Sequence, residues 1–203
     1  MARTVALLLA SASALVPPAA TPARPATRLA YTASEALPFM ERPASLDELE
    51  MAGDVGFDPF GFSSIFNVKW LREAEIKHGR ICMLAFTGFV VADICPLPGV
   101  TLSSVAAHDA NLGEYGGAMG QIFWWIGLVE ILGSIPAINF TMNGGDREPG
   151  DYALDPLGFL ENATPAEKEE WQLKELKNGR LAMMAFSGVV TQAALGHPDF
   201  PYV

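Results

Sequence analysis

Most of the chain's hydrophobic residues fall in three runs, set apart by polar and Pro/Gly-punctuated stretches. Their extents predict helices at about residues 63–93, 118–140 and 164–195. Each exceeds the roughly 20 residues needed to cross a hydrocarbon layer of about 30 Å. The expected fold class is therefore an all-α membrane protein with three transmembrane helices. The third helix has the clearest start: Thr164 as N-cap, Pro165 at the first position and Glu167 completing a capping box. Cys95-Pro96-Leu97-Pro98 stops the first helix, and Gly196-His197-Pro198 stops the third. A polar, glycine-containing loop joins the first two helices over roughly residues 94–117.

The first and third runs say nearly the same thing. Glu75-Ile-Lys-His78-Gly-Arg80-Ile-Cys-Met83-Leu-Ala85-Phe86-Thr-Gly88 is answered by Glu175-Leu-Lys-Asn178-Gly-Arg180-Leu-Ala-Met183-Met-Ala185-Phe186-Ser-Gly188. The second helix returns the chain, so the copies run parallel. Two parallel copies in one membrane are most simply related by a pseudo-twofold axis along the membrane normal. Glu75 and Arg80 stand about 140° apart around a helix and pair poorly with each other. The twofold offers a swap instead: Glu75 with Arg180, and Glu175 with Arg80. A lone charge at a helix centre costs about 2.5–3.5 kcal/mol on insertion scales, and reciprocal pairing removes most of that cost. Gly79, Gly179, Gly88 and Gly188, with Ala85 and Ala185, would let the two backbones approach.

Other polar groups sit on the same helices. Glu75 and His78 share a face at i and i+3, as do Glu175 and Asn178. Carboxylate, neutral imidazole and amide oxygen are all lone-pair donors suited to a hard metal such as the magnesium of a chlorin. Glu130 lies near the middle of the second helix, which has no basic residue; it must protonate, pair or ligate. Gln192 lies roughly 25 Å along the helix from Glu175.

Charge sharpens this picture. The formal net charge is −10, but residues 1–30 carry Arg3, Arg24 and Arg28 and no acid, leaving 10 basic against 23 acidic residues in the remainder. So acidic a chain is a poor partner for nucleic acid. Residues 1–30 have the pattern of a leader, with a short apolar core at 5–10, then Ser11-Ala-Ser-Ala14, then Pro/Ala/Thr-rich sequence with two arginines. The order predicts a signal peptide followed by a plastid transit peptide, with a plain secretory leader as the alternative. Residues 31–203 then form the membrane domain. All basic residues beyond position 30 lie before or within the N-terminal parts of the first and third helices or in the 141–170 loop. The positive-inside rule puts that side, with the N-terminus, on the stromal or cytoplasmic face. Cys82 and Cys95 have neither disulfide-framework nor metal-ligand spacing.

The paired Glu-x-x-His-x-Arg and Glu-x-x-Asn-x-Arg motifs resemble the signature of the chlorophyll-binding light-harvesting antenna family. The two Asp-Pro-x-Gly-Phe turns at Asp58-Pro59 and Asp155-Pro156, the Gln192 spacing and the leader fit as well. Leu37-Pro38-Phe39 and Gly53-Asp54-Val-Gly-Phe57-Asp58-Pro59 resemble the branch that binds chlorophyll a, chlorophyll c and fucoxanthin-type carotenoids. The resemblance covers about residues 35–195. It implies Glu75, His78, Glu175, Asn178, Gln192 and Glu130 as magnesium ligands through chlorophyll, and Arg80 and Arg180 as structural ion-pair locks. It also implies a plastid thylakoid location and a photosystem core, other antenna subunits and thylakoid lipids as partners. No bond chemistry is expected, so the protein is not an enzyme. The Asp-Pro turns either hold carotenoid ends or serve only as helix entries. His108 and His197 are either further ligands or solvated loop residues. Green-plant members carry a fourth amphipathic helix with another His ligand, a site expected to be missing here. Leu15 stands where this algal branch usually has Phe, which leaves the leader's cut site open. A photoprotective member of the family and, from another class, a small transporter or proton relay are the competing readings; intramembrane acids by default mark ion pathways.

Overall fold

A computed structural model describes residues 33–47, 49, 51–95, 103–112, 117–156, 158–161 and 163–202. The leader expected over 1–30 lies outside the described residues. After a 3-10 turn at Ala44–Leu46 come α1 (Phe62–Ile65), α2 (Val68–Ile94), α3 (Ser104–Ala110), α4 (Gly117–Met142) and α5 (Pro165–Ala194). Among the described residues there is no strand.

Two expectations about the first helix and its loop need correction. The helix is broken rather than continuous from 63, because two caps compete. Asp58 accepts hydrogen bonds from the Phe62 and Ser63 amides at 3.0 and 2.7 Å, starting α1. Asn67 then caps α2 by accepting from the Lys69 amide at 2.9 Å. The loop after α2 also contains a helix: Ser103 caps the seven-residue α3. α4 carries a π-helical segment, Glu130–Ser134, which inserts a wide turn at its one carboxylate. α5 begins with the full Thr164/Glu167 capping box.

Among the described residues only α4 is both long and apolar enough to cross a membrane by length and composition. α2 and α5, at 27 and 30 residues, have the length. Their N-terminal halves, however, carry the charges the swap was invoked to neutralise.

α2 and α5 form the centre of the fold. A β-carbon on Gly79 would lie 2.9 Å from the Gly179 Cα, and one on Gly179 would lie 3.1 Å from the Gly79 Cα. The backbones therefore touch at this crossing, and any side chain there would force them apart. Farther along, Phe89 and Phe186 meet edge to face at 5.9 Å. Contacts that advance together from 79/179 to 89/186 mean that the helices run parallel. Gly88 and Gly188 do not take part, since neither has an atom within 4 Å of its would-be β-carbon. Nine residues at about 100° each turn them to the face opposite Gly79.

The coordinates extend the sequence repeat upstream of the helices. Gly53-Asp54-Val-Gly56-Phe-Asp58 and Gly150-Asp151-Tyr-Ala153-Leu-Asp155 adopt matching turns. Asp54 accepts from the Gly56 amide at 2.9 Å, and Asp151 accepts from the Ala153 amide at 2.8 Å. Asp58 and Asp155 each accept from the amide five residues on, at 2.7 Å. Gly53 and Gly150 have φ of +71° and +83°, and each lies against the opposite long helix.

Very little apolar surface is sequestered by protein alone. The buried apolar residues among those described are Val68, Leu176, Ala182, Val189 and Tyr202. Phe123, Trp124 and Leu132 of α4 are 70–79% exposed. Continuous apolar faces of this size require an apolar surrounding.

Candidate functional site

The crossing brings the four repeated charges together in the swapped pattern. Arg80 Nε donates to Glu175 Oε1 at 2.6 Å, and Arg180 Nε donates to Glu75 Oε1 at 2.7 Å. Two further contacts break the symmetry. Arg72 donates to Glu75 Oε2 at 2.9 Å, so both oxygens of Glu75 are engaged. Arg80 Nη1 donates to the Gly150 carbonyl at 2.8 Å. Gln172, where symmetry would put a second arginine, reaches Glu148 instead. Among the described residues Glu175 Oε2 accepts no hydrogen bond.

His78 and Asn178 show how the same backbone accommodates two donor chemistries. His78 Nδ1 lies 2.7 Å from the Ala74 carbonyl, a contact that requires the proton on Nδ1. In the neutral ring the lone pair then sits on Nε2, with the residue on the exposed side of the helix. Asn178 Nδ2 donates to the Lys174 carbonyl at 2.9 Å, leaving Oδ1 on the corresponding exposed side. Each residue bonds back four positions, and each thereby aims one hard lone-pair atom away from the crossing. A hydrogen bond that fixes tautomer and orientation is the usual support of a metal-ligating side chain. Among the described residues no three His, Cys, Asp or Glu side chains cluster to hold a bare ion. Isolated axial donors suit a metal that brings its other ligands in its own frame.

The remaining candidates are placed less uniformly. Glu130 pairs with Lys77 of α2. Its partner thus comes from the neighbouring helix, α4 having no basic residue of its own. Arg80, Glu175, Lys77 and Glu130 all line one cavity of about 1200 Å³ between α2, α4, α5 and the loop before α5. Gln192 lines a second cavity of about 570 Å³, and its side chain forms no hydrogen bond among the described residues. His108 is exposed beside Asp109 at 3.2 Å, and His197 is exposed after α5. Asp58 also accepts from the Ser63 hydroxyl at 2.6 Å. Burial works against the Asp58 charge, but the hydrogen bonds from Ser63 and from the Phe62 and Gly61 amides together hold the carboxyl below its ordinary range. Asp58 therefore serves as the acceptor at the α1 entry, whereas Asp155 accepts from the Leu160 amide in the non-helical stretch before α5; Pro59 and Pro156 are exposed beside them.

Two clusters went unread in the sequence. Glu73, only 2% exposed, accepts from Arg147 at 3.0 and 3.1 Å, from the Gly150 amide at 2.6 Å and from the Tyr152 hydroxyl at 2.7 Å. This fully satisfied carboxylate clamps the loop before α5 onto α2. The signal was weak, because Glu73 lies outside the i/i+100 copy and its partners are 74 or more residues away. Asp93, at the other end of α2, accepts from Tyr202 and Ser104.

A family model described as "Chlorophyll A-B binding protein" matches residues 42–194. The chain is 39% identical over 170 residues to the chlorophyll a-b binding protein 1B-21 of Hordeum vulgare, covering 78% of this chain and 66% of that one. It is 38% identical over 152 residues to the light-harvesting complex stress-related protein 3.2 of Chlamydomonas reinhardtii, covering 67% and 58%. It is 34% identical over 203 residues to a fucoxanthin-chlorophyll a-c binding protein of Isochrysis galbana, covering 84% and 90%. The chain thus spans less than two thirds of the length of the barley and Chlamydomonas relatives and most of the Isochrysis one. The family match runs over the helix crossing and the outward-facing donors of α2 and α5, and the chain belongs to the chlorophyll a-b binding protein family.

Proposed function

We propose that the protein is a light-harvesting antenna subunit of the plastid thylakoid membrane, holding chlorophylls and carotenoids and passing excitation to a photosystem core. The carrying observation is the matched pair His78 and Asn178, each tied back to its helix so that one lone-pair atom faces outward. These two, with Glu75, Glu175, Glu130 and Gln192, are the residues that would hold chlorophyll through its magnesium. Glu75 and Glu175 would ligate while remaining paired to arginine, since each carboxylate oxygen has more than one lone pair. Glu130 would do so beside Lys77. When bound, chlorophyll supplies the visible absorption and the excited state. The chain supplies spacing, because donors on two helices locked at Gly79/Gly179 cannot drift relative to one another.

The exposed apolar faces of α2, α4 and α5 fit three membrane spans surrounded by pigment and lipid. The charged halves of α2 and α5 enter only because their charges cancel across the crossing. The basic residues gather at one end of these helices, which supports a stromal N-terminus. The Isochrysis relative, matched over 90% of its length, favours chlorophyll a, chlorophyll c and fucoxanthin as the pigments. A transporter would need unpaired acids along one route, whereas Glu75, Glu130 and Glu175 are all paired.

Likeness to the stress-related Chlamydomonas protein favours one second reading, an energy-dissipating subunit. Refolding the full chain with extracted pigments tests both. Red-region chlorophyll absorption with carotenoid-to-chlorophyll energy transfer is the expected result, and a protein that purifies without chlorophyll sinks the proposal. A fluorescence lifetime that shortens sharply at low pH in the isolated protein would favour dissipation over harvesting.

A further inference from the structure

After α5 the chain reverses at Gly196, whose φ is +102°. The His197 amide bonds back to the Gln192 carbonyl at 3.0 Å. Residues 200–202 then return to the far end of α2. There the Tyr202 hydroxyl donates to Asp93 Oδ2 at 2.6 Å. The other Asp93 oxygen accepts from the Ser104 amide at 3.0 Å, so one carboxylate gathers both the segment after α5 and the start of α3. Burial and the Asp93 contact push the Tyr202 phenol well above its usual range, so it stays a donor. Tyr202 is only 7% exposed and holds φ at +61°. A residue with a β-carbon rarely keeps that conformation unless its surroundings enforce it, and such positions gather where a site needs a fixed shape.

The shape enforced here is a wall. The cavity of about 570 Å³ is bounded by Phe86 of α2, by Met184 and Gly188 of α5, and by Phe200 and Tyr202. The Phe200 and Tyr202 rings stand edge to face at 5.8 Å. Within the lining, the Ser187 and Thr191 hydroxyls are spent on the Met184 and Ser187 carbonyls, each at 2.8 Å. Gln192 is left as the side chain with an unspent amide oxygen.

We propose that residues 200–202, latched through Tyr202 to Asp93, form the outer wall of the chlorophyll site whose axial ligand is Gln192, with Tyr202 and Asp93 as its positioning residues. The proposal rests on the ligand reading of Gln192 given above. A single axial bond fixes one point of a planar macrocycle and leaves it free to tilt. Walls on two sides remove that freedom, and they do so only while residues 200–202 are held in place.

The test is refolding of the full chain with chlorophyll a and carotenoid, followed by pigment stoichiometry and low-temperature absorption. Gln192→Leu should lose one chlorophyll and leave a single-band difference spectrum. Tyr202→Phe keeps the ring and removes only the latch. It should lower occupancy of the same band, with affinity reduced roughly tenfold, the scale of one hydrogen bond to a charged acceptor. It should also speed hydrogen exchange in residues 197–202 of the pigmented protein. The double variant should lose no more than Gln192→Leu. A Tyr202→Phe protein with wild-type pigment count and spectrum overturns the latch, as does one that loses a different band. Retention of every chlorophyll by Gln192→Leu overturns the ligand assignment, and this proposal with it, whatever Tyr202→Phe does.

Discussion

Gly53, before α2, and Gly150, before α5, occupy equivalent turns, yet the surfaces that receive them differ. A β-carbon on Gly53 would lie 2.8 Å from Leu176 and 3.0 Å from Leu173 of α5. One on Gly150 would lie 2.8 Å from Ile76 of α2, the partner of Leu176 in the repeat. Beside Ile76, however, the residue matching Leu173 is Glu73, and around it stand Arg147, Tyr152 and the Gly150 amide. One loop is held by aliphatic packing and the other by a buried ionic clasp. The same divergence separates Arg72, which fills the second oxygen of Glu75, from Gln172, which leaves Glu175 with one arginine. The pseudo-twofold is therefore a property of the backbone, and each half satisfies it with its own chemistry. Where two copies must only cross and touch, the glycines match; where a loop must be anchored, the copies are free to differ.

That asymmetry can be broken most severely at Arg80. Arg80→Leu strands both Glu175 and the Gly150 carbonyl, and should cost on the order of 3–5 kcal/mol and abolish pigmented assembly. Arg180→Leu leaves Glu75 with Arg72 and should cost less, roughly 1.5–3 kcal/mol. Thermal unfolding of the two refolded variants checks the order, and equal effects would show that Arg72 does not compensate. Next comes Glu73→Leu, which makes the second half resemble the first. If the clasp holds the loop, the variant takes the carboxylate from Arg147, leaves the Gly150 amide unpaired and should lose about 2–3 kcal/mol, more than Leu173→Ala if that site relaxes. Proteolysis of the loop before α5 reads this out.

A smaller effect on the fold is expected where the two halves carry different donors. His78→Leu and Asn178→Leu should each lose about one chlorophyll while changing stability by no more than about 0.5 kcal/mol, because both side chains are exposed. Pigment analysis of the refolded proteins decides it. Smallest of all is the acid response of the first Asp-Pro turn. The folded Asp58 carboxyl lies below its ordinary value of 3.8. Its contribution to the α1 entry is complete above that value and disappears as pH falls through the lower folded one. Acid titration of Asp58→Asn followed by circular dichroism should lack that component.

Much of this architecture could be read from the chain. The third helix announced itself through Thr164, Pro165 and Glu167, all local signals acting within four residues. The i/i+100 copy sets Glu75 opposite Arg180, because a charge repeated in an apolar helix has few means of being neutralised. Other features were out of reach. The partner of Glu130 is not legible in the sequence because Lys77 is 53 residues away, and nothing in α4 points to it. The role given to Gly88 and Gly188 failed because proximity to a crossing was inferred from residue type, while helical phase put them on the other face. The Asp58 and Asp155 turns are legible at their shared offset of 97, but the packing of Gly53 and Gly150 on the opposite long helices depends on Leu176 and Ile76, far away in the chain.

By itself the sequence determined what depends on short range and on composition: the helices, their caps, the doubled motif and its demand for charge cancellation. Tertiary structure alone decided which second partner each charge takes, which glycines touch, and how Asp93 and Glu73 gather distant segments. The physical reason is that helix formation and turn capping are settled between neighbours in the chain. Pairing across a crossing depends on the rotation and depth of two helices, and a shift of a few ångströms there exchanges one partner for another.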